Sequence, residues 1–121
     1  MPRIVHFEIP ARDPDSLADF YRRVFGWKID KWEGPVDYWL VTTGDQGPGI
    51  DGALLRTNPV HQGTVNVIDV ESVSDFTQNV EAAGGEVVTP RTPIPGLGYV
   101  AYCRDTAGNV FGLFQNDESA A

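Results

Sequence analysis

Along residues 3–10 the chain alternates: Ile4, His6 and Glu8 fall on one face of an extended segment, and Val5, Phe7 and Ile9 on the other. The period then changes. Asp13 suits a helix N-cap, and Pro14 the first helical position, where a missing N–H costs nothing. Leu17, Phe20, Tyr21, Val24 and Phe25 recur at helical spacing and predict one buried stripe, with Gly26 ending the helix. Three short strands are expected at about 27–33, 36–43 and 50–57, separated by Gly/Pro turns. The order then restarts. Residues 63–70 read as a strand, and Ser72 with Asp75 three residues on caps a second helix. Val73, Phe76, Val80 and Ala83 make its stripe, and Gly84-Gly85 stops it. Strands at about 86–92, 98–104 and 109–115 complete this half, and Pro93-Ile94-Pro95-Gly96 reads as a turn or an edge.

The two halves share one offset. Adding 59 to Asp13 gives Ser72, so cap falls on cap; adding 59 to Leu17, Tyr21, Val24 and Gly26 gives Phe76, Val80, Ala83 and Gly85. The same step takes Gly49, Leu54 and Leu55 to Gly108, Leu113 and Phe114. A shared register through a helix, its cap and a strand points to two tandem βαβββ modules, which bury together faces that neither covers alone. The expected organisation is a single α+β domain over 1–116, with modules at about 3–57 and 62–115 and a disordered tail over 117–121.

Composition narrows the classes without choosing among them. With 121 residues and 41% apolar content the chain suits one globular domain. No apolar run approaches the roughly 20 residues of a membrane helix, and the N-terminus lacks the layout of a secretory signal. A net charge of −8 argues against nucleic acid and mildly favours cationic small molecules, although solubility alone is the commoner reason for such acidity. Cys103 stands alone, so no disulfide framework is expected; a buried inert thiol and a cytoplasmic location fit it.

Several motifs carry a resemblance. They are His6-Phe7-Glu8-Ile9-Pro10 before Asp13-Pro14, Phe20-Tyr21 with Val24-Phe25-Gly26-Trp27, Ile94-Pro95-Gly96-Leu97-Gly98, and Asp105-Thr106-Ala107-Gly108-Asn109-Val110-Phe111-Gly112-Leu113-Phe114. Together they resemble the vicinal oxygen chelate superfamily (glyoxalases, bleomycin-resistance proteins and ring-cleaving dioxygenases), and within it the predicted relatives of lactoylglutathione lyase. Thr106 departs from the Pro usual after the Asp. The resemblance implies a curved mixed sheet around a ligand cup, with the helices on its outer face. It also implies a divalent metal held from the first and last strand of each module. Those positions fall here on His6, Val65, Ala53 and Gly112, of which only His6 can ligate. Glu8, two residues from His6 on the same face, could add a second ligand, but a divalent ion normally wants at least three. His61, just before the fifth strand, would need a large register shift to reach the cup. The expectation is therefore no metal and no cofactor.

The candidate site is the face carrying His6 and Glu8, the best acid–base candidates, with Ala53, Val65 and Gly112 leaving room and Trp39, Tyr102 and Phe114 supplying aromatic walls. Against this stands the reading of His6 as a satisfied structural imidazole and of each aromatic as core. The function expected is metal-independent binding of a small hydrophobic or cationic molecule. The alternative is a lyase or isomerase using His6 and Glu8 as acid–base groups or in a rearranged metal site. A homodimer is expected because relatives pair modules within or across chains and open sheet edges need cover.

Overall fold

The computed structural model describes residues 2–121. Its elements run β1 (Arg3–Ala11), α1 (Pro14–Phe25), β2 (Lys28–Lys31), β3 (Tyr38–Thr42), β4 (Asp51–Arg56), β5 (Val65–Asp69), α2 (Val73–Ala82), β6 (Glu86–Ile94), β7 (Gly98–Arg104) and β8 (Val110–Asn116). This is the expected order of two tandem βαβββ modules. The signals behind both helices act as read. The Asp13 carboxylate accepts from the Ser16 amide, the Ser72 hydroxyl accepts from the Asp75 amide, and Gly26 ends α1 at a φ of 71°, a left-handed conformation that a side chain would strain.

The strands are hydrogen-bonded in the order β2-β3-β4-β1-β5-β8-β7-β6. That order is open: β2 and β6 each have a neighbour on one side only. The expected sheet curved around a ligand cup is therefore not what the chain builds. The positions that were to leave room are also filled. Ala53 and Val65 are buried at 0% and 2% exposure. A Cβ added at Gly112 would stand 3.2 Å from both Tyr102 Cε1 and Val67 Cγ2, so its neighbours already close over it.

The chain forms two compact units, His6–Val65 and Asn66–Ala121, the latter together with the chain up to Val5. In the first, β1 and β4 run parallel while β2, β3 and β4 pair antiparallel. In the second, β5 and β8 run parallel while β6, β7 and β8 pair antiparallel. The offset of 59 carries the register itself. Phe7, Glu8, Ile9 and Pro10 face Gly52, Ala53, Leu54 and Leu55, and their counterparts Asn66, Val67, Ile68 and Asp69 face Phe111, Gly112, Leu113 and Phe114.

Each unit packs its helix on one sheet face. In the first, Ala18, Ile29, Trp39, Val41 and Leu54 form the core, with Phe7, Ile9, Leu17, Tyr21 and Trp27 packed against it. In the second, Val70, Val73, Ala101, Cys103 and Leu113 do the same. The Cys103 thiol is pushed up by burial and then by the Glu81 charge, away from the reactive thiolate. The stripe read on α1 needs correction: Phe20, Val24 and Phe25 are 54%, 55% and 59% exposed. The helix turns its small residues Pro14 and Ala18 to the sheet, which brings the backbones close and swings the Phe20–Val24 row outward.

The tail is likewise held, where disorder was expected. The Asp117 amide donates to the Leu97 carbonyl, the Gly96 amide donates to the Ala120 carbonyl, and Ala120 is buried. Among the described residues no helix is long and apolar enough to cross a membrane.

Candidate functional site

Within the first unit, β1 and β3 bring together two of the expected residues and one that was not singled out as a partner. His6 Nε2 lies 2.7 Å from the Tyr38 hydroxyl, and that hydroxyl donates to Glu8 Oε2 at 2.7 Å. The other carboxylate oxygen, Oε1, lies 2.7 Å from His61 Nε2. His6, Tyr38, Glu8 and His61 thus form one continuous polar chain from a half-buried imidazole to a buried one. Strand parity explains the first part: His6 and Glu8 share a face of β1, and Tyr38 shares it from β3, two strands away across Ala53 of β4.

His61 reaches Glu8 through its turn rather than through the register of β5. Asn58 Oδ1 accepts from the amides of Val60 and His61 at 2.9 and 2.8 Å, and Asn58 Nδ2 donates to the Arg56 carbonyl. This Asx-type turn folds the segment after β4 back and drives the ring inward. The sequence signal was available in Asn58-Pro59, a turn initiator; the expectation that His61 stays remote is corrected by it.

Those contacts also define the proton arrangement. Because Asn58 is held by two amide donors, its oxygen is fixed toward His61 Nδ1, at 3.2 Å. Both ring nitrogens of His61 therefore lie against side-chain oxygens, Nδ1 against Asn58 Oδ1 and Nε2 against Glu8 Oε1. Tyr38 spends its proton on Glu8, so His6 must donate from Nε2 to the tyrosine oxygen. The neutral His6 ring is then left with a lone pair on Nδ1, which has no hydrogen-bond partner among the described residues.

Burial pushes the His6 imidazole below its ordinary value of 6.5, against the smaller upward pull of the Glu8 and Asp51 carboxylates. The sign follows from linkage. The unfolded chain binds the proton more readily, so the stability His6 contributes is complete above pH 6.5 and declines as pH falls through that value. NMR of the ring carbons is expected to give a His6 midpoint below 6.5; a midpoint above it would mean the carboxylates outweigh burial.

The other expected residues divide. Trp39 lies on the helix side, 2% exposed, with its indole Nε1 donating to Asp15 at 2.9 Å and the Lys31 ammonium and Arg56 guanidinium over its ring. It is a core residue away from the His6 face. Ala53 stands beside Glu8 in the β1–β4 register. Tyr102, Gly112 and Phe114 belong to the second unit, where Tyr102 covers Gly112 and Phe114 sits half-buried opposite Val100.

The residues present do not fit the metal that the resemblance implies. Ala53, Val65 and Gly112 offer no donor atom, and both Glu8 oxygens are engaged by Tyr38 and His61. The Tyr38 hydroxyl stands between His6 and Glu8. Among the described residues no group of three or more His, Cys, Asp or Glu side chains is gathered to hold a metal ion. A concavity of about 360 Å³ opens beside this site at the β2–β3 turn, lined by Lys31, Trp32, Glu33, Gly34, Val36 and Asp37. The Trp32 ring meets Tyr38 edge-on at 6.1 Å, and Tyr38 stacks with His6 at 6.2 Å, which makes a row of three rings leading from the concavity to the polar chain.

Known proteins resemble this chain at two levels. An anthracycline biosynthesis protein of Streptomyces peucetius is 28% identical over 90% of this chain and 45% of its own length. A lactoylglutathione lyase of Arabidopsis thaliana is 28% identical over 93% of this chain and 44% of its own. The chain thus spans less than half the length of these curated relatives. In structure, a hypothetical protein from Bacillus halodurans superposes with a TM-score of 0.74 at 16% identity, covering 99% of this chain and 98% of that one, a likeness of fold alone. The family model for the Glyoxalase/Bleomycin resistance protein/Dioxygenase superfamily matches residues 3–113, nearly the whole chain, and the chain belongs to that superfamily.

Proposed function

We propose that the protein binds a small molecule at the exposed end of the His6–Tyr38–Glu8–His61 chain, without a metal ion. The observation that carries this is the polar chain itself: it spends both Glu8 oxygens internally and presents His6 Nδ1 as an acceptor. The Trp32–Tyr38–His6 row beside the concavity suits a flat ligand, which stacks on the rings and offers a hydroxyl or amine proton to His6. The name of the Streptomyces relative, an anthracycline biosynthesis protein, supports a flat polycyclic ligand of this kind. The net charge of −8 adds a mild preference for cationic or neutral compounds over anions. A cytoplasmic homodimer is the working form we assign to it.

Chelator-treated protein screened against planar phenols and aromatic amines is expected to gain several degrees of melting temperature with one of them. The gain should disappear in His6→Ala and persist in Cys103→Ser. A ligand whose effect survives His6→Ala would place binding elsewhere, and stoichiometric zinc, nickel, manganese or iron in protein purified without added metal would end the metal-independent reading.

One observation favours a second reading, a lyase or isomerase related to lactoylglutathione lyase. His6 is held neutral by burial with its Nε2–H backed by Tyr38 and the Glu8 carboxylate, the arrangement of a general base whose tautomer is fixed and whose Nδ1 keeps its lone pair. Deuterium incorporation from solvent into a bound carbon acid, lost in His6→Ala, would establish it.

A further inference from the structure

We propose that the outer face of α1 is a self-association surface, and that its occupant is a second copy of this chain packed antiparallel through the same helix. The inference rests on the homodimer reading and gives it a location. Phe20, Val24 and Phe25 are each more than half exposed, and they do not stand singly. Phe20 meets Tyr21 edge-on at 5.3 Å, Tyr21 stacks on Trp27 at 4.9 Å and 7°, and Phe25 stacks on Trp27 at 5.3 Å. Four rings thus support one another into a continuous apolar ledge, and isolated exposed apolar side chains would need no such explanation. The other large exposed apolar residues carry no such row of rings: Ile4 and Val5 lie on β1 with Ile50 beside its partner β4, Leu40 on β3, and Val36 and Leu97 in turns.

Charge selects the occupant. A chain of net charge −8 repels its own copies except where a basic stretch can meet an acidic one. The helix α1 carries such a division: Asp13, Asp15 and Asp19 stand in its first half and at its cap, Arg22 and Arg23 in its last turn. Arg22 is paired with Asp19 at 3.0 Å, whereas Arg23 makes no ion pair among the described residues. Asp19 and Arg23 are four residues apart and flank the Phe20–Val24 row on one side. A two-fold axis crossing the helix near Tyr21 keeps that side together, so Asp19 of each copy meets Arg23 of the other while the Phe20–Val24 rows close on each other. The helix dipoles then oppose, which adds to the pairing. The interface is isologous and therefore closes at two copies.

Sedimentation of the full chain is the test, with far-UV circular dichroism confirming that each variant stays folded. The wild type is expected at twice the chain's mass. Phe20→Glu should weaken association by on the order of tenfold or more. Asp19→Arg and Arg23→Asp should each weaken it, and the double variant Asp19→Arg/Arg23→Asp should restore it, because the swapped charges meet again across the axis. A monomeric wild type at all concentrations would overturn the dimer reading and this surface together. A dimer indifferent to Phe20→Glu would overturn the surface alone, and a double variant no better than the singles would overturn the antiparallel arrangement.

Discussion

Replacing His61 by alanine is expected to cost about 3–5 kcal/mol of unfolding free energy, the range for breaking a buried ion pair from one side. Both side chains of the Glu8–His61 pair are only 5% exposed, so water cannot take the place of the lost partner. Glu8 would keep the Tyr38 hydroxyl on Oε2 and lose the donor on Oε1. A buried carboxylate that loses its His61 contact either remains charged at a greater desolvation cost or takes up a proton, and in the second case it is a weaker acceptor for the Tyr38 hydroxyl. The damage should therefore reach His6, whose Nε2 depends on the Tyr38 oxygen. Urea unfolding followed by tryptophan fluorescence gives the cost directly. The double variant Glu8→Leu/His61→Leu supplies the contrast: with both polar groups gone the penalty of an orphaned charge vanishes, and the double should be more stable than His61→Ala. A loss below about 1 kcal/mol in His61→Ala would show that the pair carries no buried charge.

Much of the fold was legible because it rests on local chemistry. Asp13-Pro14 and Gly26 set the ends of α1 by satisfying or omitting backbone groups, and those requirements are written within four residues of each end. The offset of 59 predicted which residues correspond, and the two parallel registers repeat it pair for pair, since one strand pairing fixes all its neighbours. The open strand order was a different kind of fact. Periodicity does not say how far a sheet bends, and the curvature that the resemblance implied was not built; the expected room at Gly112 vanished because Tyr102, its cross-strand partner, lies over it.

The site was half legible. His6 and Glu8 share a face by strand parity alone, but Tyr38 joins them only because β3 pairs with β4 in a register that aims it there. The same register turned Trp39 to the helix, where Asp15 holds it. His61 was invisible to strand arithmetic because a turn, Asn58 to His61, decides where its ring goes. The exposed row on α1 was missed for a third reason: apolar residues at 17, 20, 21, 24 and 25 cover more of the helix than one sheet can bury. The choice of which edge is left out is made by the close approach of Ala18.

The limit of the repeat can be measured with one pair of substitutions. Leu54 and Leu113 correspond under the offset of 59, are 0% and 2% exposed, and face Ile9 and Ile68 on the neighbouring parallel strand. Each Leu→Ala change is expected to cost about 2–5 kcal/mol, the transfer of the lost methyl groups plus the cavity left behind. The two costs should not be equal. On its antiparallel side Leu54 faces Trp39, whose ring is pinned by its 2.9 Å hydrogen bond to Asp15 and cannot move into the gap. Leu113 faces Ala101, so the side chains able to shift toward its cavity are the aliphatic and aromatic groups of α2 and β5, Phe76, Val80 and Ile68, none of them tied by a side-chain hydrogen bond. Cavity cost grows with the volume that relaxation fails to fill. Leu54→Ala is therefore expected near the upper end of the range and Leu113→Ala near the lower, read as midpoint shifts in urea at unchanged slope. The reverse order would mean that the Asp15–Trp39 bond does not hold the ring, and then Asp15→Ala, which removes the acceptor, should leave the cost of Leu54→Ala unchanged.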